Sequence, residues 1–132
     1  MRALLDTHVL LHWVGESPKL SAAQRRVIEA ATPEAPLYVS DITLWEIATL
    51  QSLKRIAVQG DLRGWLEQIT APPLIQRLSI SPTVAAEAAA LPGSFHRDPG
   101  DRVIVASARV FGAVLLTQDR RIIDADLVRT LS

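Results

Sequence analysis

The feature that most constrains this chain is its alternation of short apolar runs with longer amphipathic stretches. The runs RALLD, PLYVS and AVLLT are short and apolar enough to be buried strands, and IQRLSI is a fourth candidate. Helical patterns lie between these runs, and the connections are short. Strands that alternate with helices in this way pair as a parallel sheet covered by helices on both faces. The sequence therefore predicts an α/β fold, with ligands bound at the carboxyl ends of the strands.

Capping signals delimit several of the helices. Ser21 with Gln24 is a capping-box pattern, which opens a helix through about residue 31. The clearest helix follows Asp98, an N-cap with proline at the next position, and runs through DRVIVASARVF to Gly112. QDRR, which follows AVLLT, has the composition of a turn. The connections are too short to divide the chain, so residues 1–132 are expected to form one domain.

Composition limits the class of protein. Hydrophobic residues make up 48% of the 132 residues and charged residues 21%, which is typical of a folded globular protein. The charges of the 14 basic and 14 acidic side chains sum to zero. This balance argues against a protein whose whole surface binds nucleic acid electrostatically. The absence of cysteine excludes disulfides and thiolate metal sites. No apolar run is long enough to cross a membrane, and the start does not resemble a signal peptide, so a cytoplasmic location is expected.

One carboxylate interrupts the apolar start of the chain, RALLDTHVLLHWV. Asp6 lies where burial is expected, and a buried charge is costly unless it has a partner. Other acidic residues fall near the predicted ends of strands or in the first turns of the helices that follow them. We therefore expect five acidic residues at the carboxyl edge of the sheet: Asp6, Glu46, Asp98, Asp101 and Asp119.

Each of these acids also has a purely structural interpretation. Asp6 or Thr7 can cap the first helix, Asp98 is an N-cap, and Asp119 suits a turn. Glu46 is harder to explain, because it lies among apolar neighbours. Converging carboxylates without enough cationic partners repel one another and have raised pKa values. A hard divalent cation such as Mg²⁺ or Mn²⁺ would relieve this repulsion, and it supports phosphoryl chemistry.

The histidines suggest other chemistry only weakly. His8 and His12 have the spacing of a helical zinc pair, but Val9 stands where zinc proteases have their glutamate. No third zinc ligand is apparent. His96 lies beside the acidic residues, where it can either contact substrate or pack the loop.

Four motifs together resemble those of a known family. LLDTHVLLHW, SDITLWEIA, HRDPGDRVIVASA and LLTQDRRI are similar, in order and spacing, to motifs of the PIN-domain ribonucleases, and more narrowly of the VapC-type toxins of toxin–antitoxin pairs. The resemblance covers the whole chain. It implies a three-layer PIN-like fold and a Mg²⁺- or Mn²⁺-dependent endoribonuclease that hydrolyses phosphodiester bonds in structured RNA, such as transfer or ribosomal RNA.

The resemblance also implies roles for individual residues. The acidic quartet of the family falls on Asp6, Glu46, Asp101 and Asp119, of which Asp6 and Asp101 would be the principal metal ligands. Asp98 is a secondary candidate, and the hydroxyls of Thr7 and Thr117 would orient carboxylates or a bound water. Gly100 is a departure, because relatives commonly carry a bulky apolar residue there. Glycine loosens the first helical turn but leaves Asp101 in place. The departure is therefore expected to affect the rate of RNA cleavage more than the presence of that activity.

Partners follow from the same resemblance. The expected partners are the RNA substrate and a small antitoxin protein, with a homodimer of this chain inside the toxin–antitoxin complex. Four arginines adjoin the acidic residues and are candidates either for holding RNA phosphates or for forming ion pairs: Arg97, Arg102, Arg120 and Arg121.

Three other classes of protein are alternatives to this interpretation. Phosphatases that form an aspartyl-phosphate need a second aspartate two residues after the first, where this chain has His8. Signalling receiver domains need adjacent acids after the first strand and a late lysine, but the only lysines are Lys19 and Lys54. A PIN fold that is catalytically weak and only binds a partner remains open.

Overall fold

A computed structural model describes residues 1–132 and shows five strands and seven helices. The strands are β1 (Ala3–Leu5), β2 (Leu37–Ser40), β3 (Ile75–Leu78), β4 (Val114–Leu116) and β5 (Thr130–Leu131). The helices are α1 (Thr7–Val14), α2 (Ala22–Glu29), α3 (Asp41–Ser52), α4 (Leu62–Ile69), α5 (Pro82–Ala90), α6 (Pro99–Phe111) and α7 (Arg120–Ala125). None of the helices has the length and apolar character that a membrane crossing requires.

All five strands pair in parallel, in the order β3-β2-β1-β4-β5. The first strand therefore lies at the centre, with β2 on one side and β4 on the other. Every strand points the same way, so the residues that follow β1, β2 and β4 emerge at one edge of the sheet. The α/β fold predicted from the alternating pattern is confirmed.

The core is divided between the two faces of the sheet, because successive side chains of a strand point to opposite faces. Leu5 belongs to a cluster that includes residues of α1, α2 and α4. Leu4 belongs to a second cluster, built mainly with residues of α6 and α7. Both leucines are fully buried, as expected for a strand at the centre of a three-layer arrangement.

The structure differs from the sequence interpretation in three details. QDRR is not merely a turn: Asp119 caps α7, and Arg120 and Arg121 form its first turn. The strand β5 was not foreseen, because it is only two residues long and has no alternating pattern. The helix after Ser21 also ends at Glu29, slightly earlier than expected.

Candidate active site

The carboxyl edge of the sheet brings the predicted acidic residues together. Asp6 directly follows the central strand β1, and Asp119 lies three residues beyond the end of β4. Glu46 projects from α3, the helix that follows β2, and Asp101 lies in the first turn of α6. The Glu46 carboxylate lies against Gly100, the residue before Asp101, and the charges of Asp101 and Asp6 act to raise its pKa.

Asp6 is held by neutral donors only. It is just 4% exposed, and each of its carboxylate oxygens accepts one hydrogen bond. The Thr7 N–H donates to Oδ1 at 2.8 Å, and the Thr117 hydroxyl donates to Oδ2 at 2.7 Å. Burial raises the pKa of Asp6, and these two hydrogen bonds offset only part of that effect. The charge is therefore oriented without being neutralised.

A relay of hydroxyl groups holds Glu46. The Thr7 hydroxyl donates to Glu46 Oε1 at 2.7 Å and lies 2.9 Å from the Thr43 hydroxyl. Since Thr7 has only one hydroxyl hydrogen, Thr43 must be the donor in the second contact. Burial raises the pKa of Glu46, and the nearby carboxylates of Asp101 and Asp6 raise it further. The sequence places Thr43 on the helix face of Glu46, three residues before it, but does not reveal its contact with Thr7.

Asp101 has a different kind of partner. Its backbone N–H donates to the Asp98 side chain at 3.0 Å, which is the predicted N-cap contact. Its Oδ2 lies 2.6 Å from His96 Nε2, and His96 packs against the Phe95 ring. Burial raises the pKa of Asp101, although the contact with His96 opposes that shift. His96 thus contacts the cluster directly.

Asp119 is paired with an arginine of its own helix. Arg121 donates to it from the backbone at 2.9 Å and from Nη2 at 3.2 Å, and the same guanidinium lies 3.6 Å from Asp101. Burial acts to raise the pKa of Asp119, but the bonds and charge of Arg121 hold it below its ordinary value. Arg121 thus forms ion pairs, which the sequence analysis gave as one alternative, and this single arginine serves both Asp101 and Asp119.

Arg102 is not available to bind RNA phosphate. Its guanidinium donates to four backbone carbonyls, at distances between 2.9 and 3.3 Å, which ties the end of α5 and the following loop to α6. The four carbonyls belong to Ala88, Leu91, Phe95 and His96. The structure thus corrects the sequence interpretation of this arginine, which secures the loop that carries His96.

The other arginines remain at the surface. Arg120 pairs with Asp124 at 3.1 Å along the outside of α7. Arg97 is exposed, and no hydrogen bond or ion pair engages its side chain in the structure. Arg121 is 62% exposed at its side chain, despite its contacts with the two aspartates.

The donor set at this edge consists of carboxylate and hydroxyl oxygens, which suits a hard divalent cation. In the present side-chain arrangement, however, no three acidic or histidine residues lie close enough together to hold one ion. Asp101 and Asp119 point instead at His96 and Arg121. The donor chemistry fits such an ion, and a shared site would require these two side chains to turn. His8 and His12 likewise have no third acidic or histidine side chain close enough to complete a zinc site.

Comparison with known proteins identifies the fold. The PIN domain family matches residues 3–127, nearly the whole chain. The chain belongs to the PIN-domain family. This PIN-domain protein is also 40% identical over 119 residues to ribonuclease VapC22 of Mycobacterium tuberculosis, an alignment covering 90% of this chain and 88% of that protein. The resemblance to VapC-type members of the family, drawn from the motifs, is confirmed.

Solved structures support the same fold. One similar structure is VapBC2 from Rickettsia felis bound to a promoter DNA fragment, with a TM-score of 0.72, 13% identity, and coverage of 99% of this chain and 98% of that one. Another is VapBC-1 from nontypeable Haemophilus influenzae, with a TM-score of 0.70, 20% identity, and coverage of 100% and 98%. At these identities the likeness concerns the PIN fold alone.

Proposed function

We propose that this PIN-domain protein is a Mg²⁺- or Mn²⁺-dependent endoribonuclease that hydrolyses phosphodiester bonds in structured RNA, such as transfer or ribosomal RNA. The observation that carries the proposal is Asp6, which is 4% exposed and has hydrogen bonds to both oxygens, yet has no cationic partner in the structure. A buried charge of this kind is costly unless a cation binds to it. The 40% identity to a ribonuclease supports RNA as the substrate.

Asp6 and Asp101 are the proposed principal ligands of the ion. When bound, the ion would activate water and stabilise the negative charge that develops on the attacked phosphate. Asp6 needs no rearrangement, because Thr7 and Thr117 already fix its two oxygens. Asp101 would exchange its contacts with His96 and Arg121 for the ion.

The remaining residues orient groups around this centre. Thr7 holds Glu46 in place, so that its second carboxylate oxygen is free to bind or orient water. Asp119 accepts from Arg121, and the guanidinium released when Asp119 turns would face the RNA backbone. Arg97, which has no partner within the chain, is a second candidate for binding phosphate, and Asp98 is a secondary acidic residue.

The experiment is cleavage of total RNA by the purified protein, followed by sequencing of the new ends. Cleavage should require Mg²⁺ or Mn²⁺, stop in excess chelator, and fall by orders of magnitude in the Asp101→Asn variant. An Asp124→Asn variant is the control, because Asp124 is exposed and pairs only with Arg120. Undiminished cleavage in chelator would overturn the metal dependence. A folded protein that binds Mn²⁺ but cleaves no RNA would favour a binding module instead.

We further propose that a small antitoxin protein holds this ribonuclease inactive. Two similar structures are described as VapBC complexes, and a third as a toxin–antitoxin complex from Klebsiella pneumoniae. This chain exposes apolar side chains that such a partner would cover: Trp45 is 61% and Leu53 57% exposed. A groove also runs beside α4, lined by residues that include Leu44, Leu62 and Leu66.

Expression in cells tests the antitoxin proposal separately from the nuclease activity. The chain alone should arrest growth, and co-expression with the adjacent small gene should restore it. The two proteins should co-purify as a complex without ribonuclease activity, and its mass would show whether this chain is present as a homodimer. Harmless expression of soluble, unmodified protein, with no partner recovered, would contradict the proposal without affecting the metal-dependent cleavage tested above.

A further inference from the structure

Gly100 lies against the carboxylate of Glu46. It is a buried residue in the first turn of α6, between Pro99 and Asp101. A Cβ atom placed on Gly100 would overlap Glu46 Oε2 more closely than real Cβ contacts allow, and would lie 3.0 Å from Oε1. The space that a side chain would occupy at position 100 is therefore filled by the Glu46 carboxylate.

No other glycine of the chain is in this situation. A Cβ at Gly60, Gly93 or Gly112 would have no neighbour within 4 Å. At Gly15 it would meet only a backbone oxygen, at 3.2 Å. Gly64 is the nearest analogue, because it lies in a first helical turn beside a carboxylate, yet its Cβ would still be 3.0 Å from the nearest atom of Asp61.

Glu46 cannot move aside without losing contacts. Its Oε1 accepts the 2.7 Å hydrogen bond from the Thr7 hydroxyl, which in turn accepts from Thr43. Thr7 and Thr43 are 3% and 0% exposed, so water cannot readily replace a lost partner. A carboxylate pushed away from position 100 would leave the Thr7 hydroxyl without its acceptor.

We propose that Gly100 is a positioning residue. Because it has no side chain, it leaves a space in which Thr7 and α6 hold the Glu46 carboxylate beside Asp101, and we call this space the seat. The seat also places this carboxylate at the N-terminus of α6, where the helix dipole favours a negative charge. The inference rests on the proposed function only where it concerns binding of the metal ion.

A double-mutant cycle between Gly100→Ala and Glu46→Ala tests the seat without reference to RNA. Alanine normally stabilises a helix relative to glycine, so the sign of the effect is informative. In chelator, Gly100→Ala should lower the melting temperature of the wild-type protein but raise that of the Glu46→Ala variant. Gly64→Ala, the matched control, should not lower the melting temperature in either background. A decrease of equal size for Gly100→Ala in both backgrounds, or none in the wild type, would overturn the proposal.

The second measurement is Mn²⁺ affinity, followed by the electron paramagnetic resonance of free Mn²⁺. Gly100→Ala should weaken binding roughly tenfold in the wild type, and have no effect once Glu46 is alanine. An equal loss in both backgrounds would overturn the role of Glu46. If wild-type protein binds no Mn²⁺, the proposed function fails, whereas the melting-temperature cycle still tests the seat.

If the Gly100→Ala variant itself does not fold, the double variant decides. Recovery of folding when Glu46→Ala is added supports the seat, and continued failure to fold overturns it.

Discussion

The inner and outer halves of the acidic cluster are held by opposite means. The inner half, Asp6 and Glu46, is oriented by threonine hydroxyls and one backbone N–H, all of them neutral. The outer half, Asp101 and Asp119, contacts His96 and Arg121. Neutral donors fix the geometry of a carboxylate and leave its charge, whereas Arg121 offsets part of the charge of Asp101 and Asp119 and occupies positions that an ion would need.

This difference separates the tasks of the two halves. The inner half is preorganised and carries uncompensated charge, so an incoming ion would find one of its ligands, Asp6, already in place. The outer half carries its own cation, Arg121, so an ion must displace that guanidinium and the contact with His96. We therefore expect substitutions of the inner carboxylates to affect both cleavage and stability, and substitution of Arg121, the cationic partner in the outer half, to change how readily an ion binds.

The largest difference should appear when one carboxylate from each half is made neutral. Asp6→Asn should reduce RNA cleavage by at least about a hundredfold, because it removes a charged ligand and disturbs the bond from Thr117. Asp119→Asn should reduce cleavage less, because Asp119 is already paired with Arg121. Cleavage rates at saturating Mn²⁺ measure both effects. Losses of equal size would show that the two halves contribute alike.

Thr117 tests the neutral support of the inner half. It is fully buried, donates to Asp6, and accepts the Asp119 N–H at 3.1 Å. Thr117→Val should lower the free energy of unfolding by about 1–3 kcal/mol and reduce cleavage roughly tenfold. Denaturant unfolding and RNA cleavage measure these effects. Thr49→Val is the control, because that hydroxyl contacts only a carbonyl of its own helix. Unchanged cleavage in the Thr117 variant would show that Asp6 needs no such orientation.

The sequence predicts the inner half better than the outer half, for a physical reason. Asp6 follows a central apolar strand, and its position at the sheet edge comes from the parallel order of β1 and its neighbours. The cap at Asp98 with Pro99 is likewise local, and it was confirmed. Contacts that depend on short-range pattern or on strand order can be inferred from residue types alone.

The outer half depends on details that no pattern encodes. Arg121 reaches Asp119 and Asp101 because QDRR begins a six-residue helix, too short to show periodicity. Arg102 turns inward because the loop after α5 presents its carbonyls at the right distance. The seat at Gly100 depends on how α3 lies against α6. Tertiary packing decides all three, and it is visible only in the structure.

Glu46→Gln probes the uncompensated charge of the inner half. Its pKa is raised above the ordinary value of 4.5, so its ionisation destabilises the metal-free fold. This destabilisation is absent at pH values below the ordinary pKa of a glutamate, and it is fully present once the pH has risen through the raised pKa of Glu46 in the folded protein. Gln can still accept from Thr7 but carries no charge. In chelator, the melting temperature of the Glu46→Gln variant should exceed that of the wild type by a few degrees near about pH 7.5. The difference should be smaller near about pH 4.5.

The control for this prediction is Glu34→Gln, since Glu34 is exposed and lies outside the cluster. Its melting temperature should follow that of the wild type at every pH. A Glu46→Gln advantage that is constant across the range would indicate better packing of the amide rather than relief of charge.

Arg121 and Arg120 provide the finest test, because each adds one positive charge to the first turn of α7. Arg121 contacts Asp119 and Asp101, whereas Arg120 contacts only Asp124. Arg121→Gln should strengthen Mn²⁺ binding severalfold, because the ion no longer competes with a guanidinium for the two aspartates. Arg120→Gln should change it less, through distant charge alone. Titration calorimetry with Mn²⁺ gives both affinities. Equal effects would mean that Arg121 acts only as a nearby charge, and that the outer half is as open to an ion as the inner one.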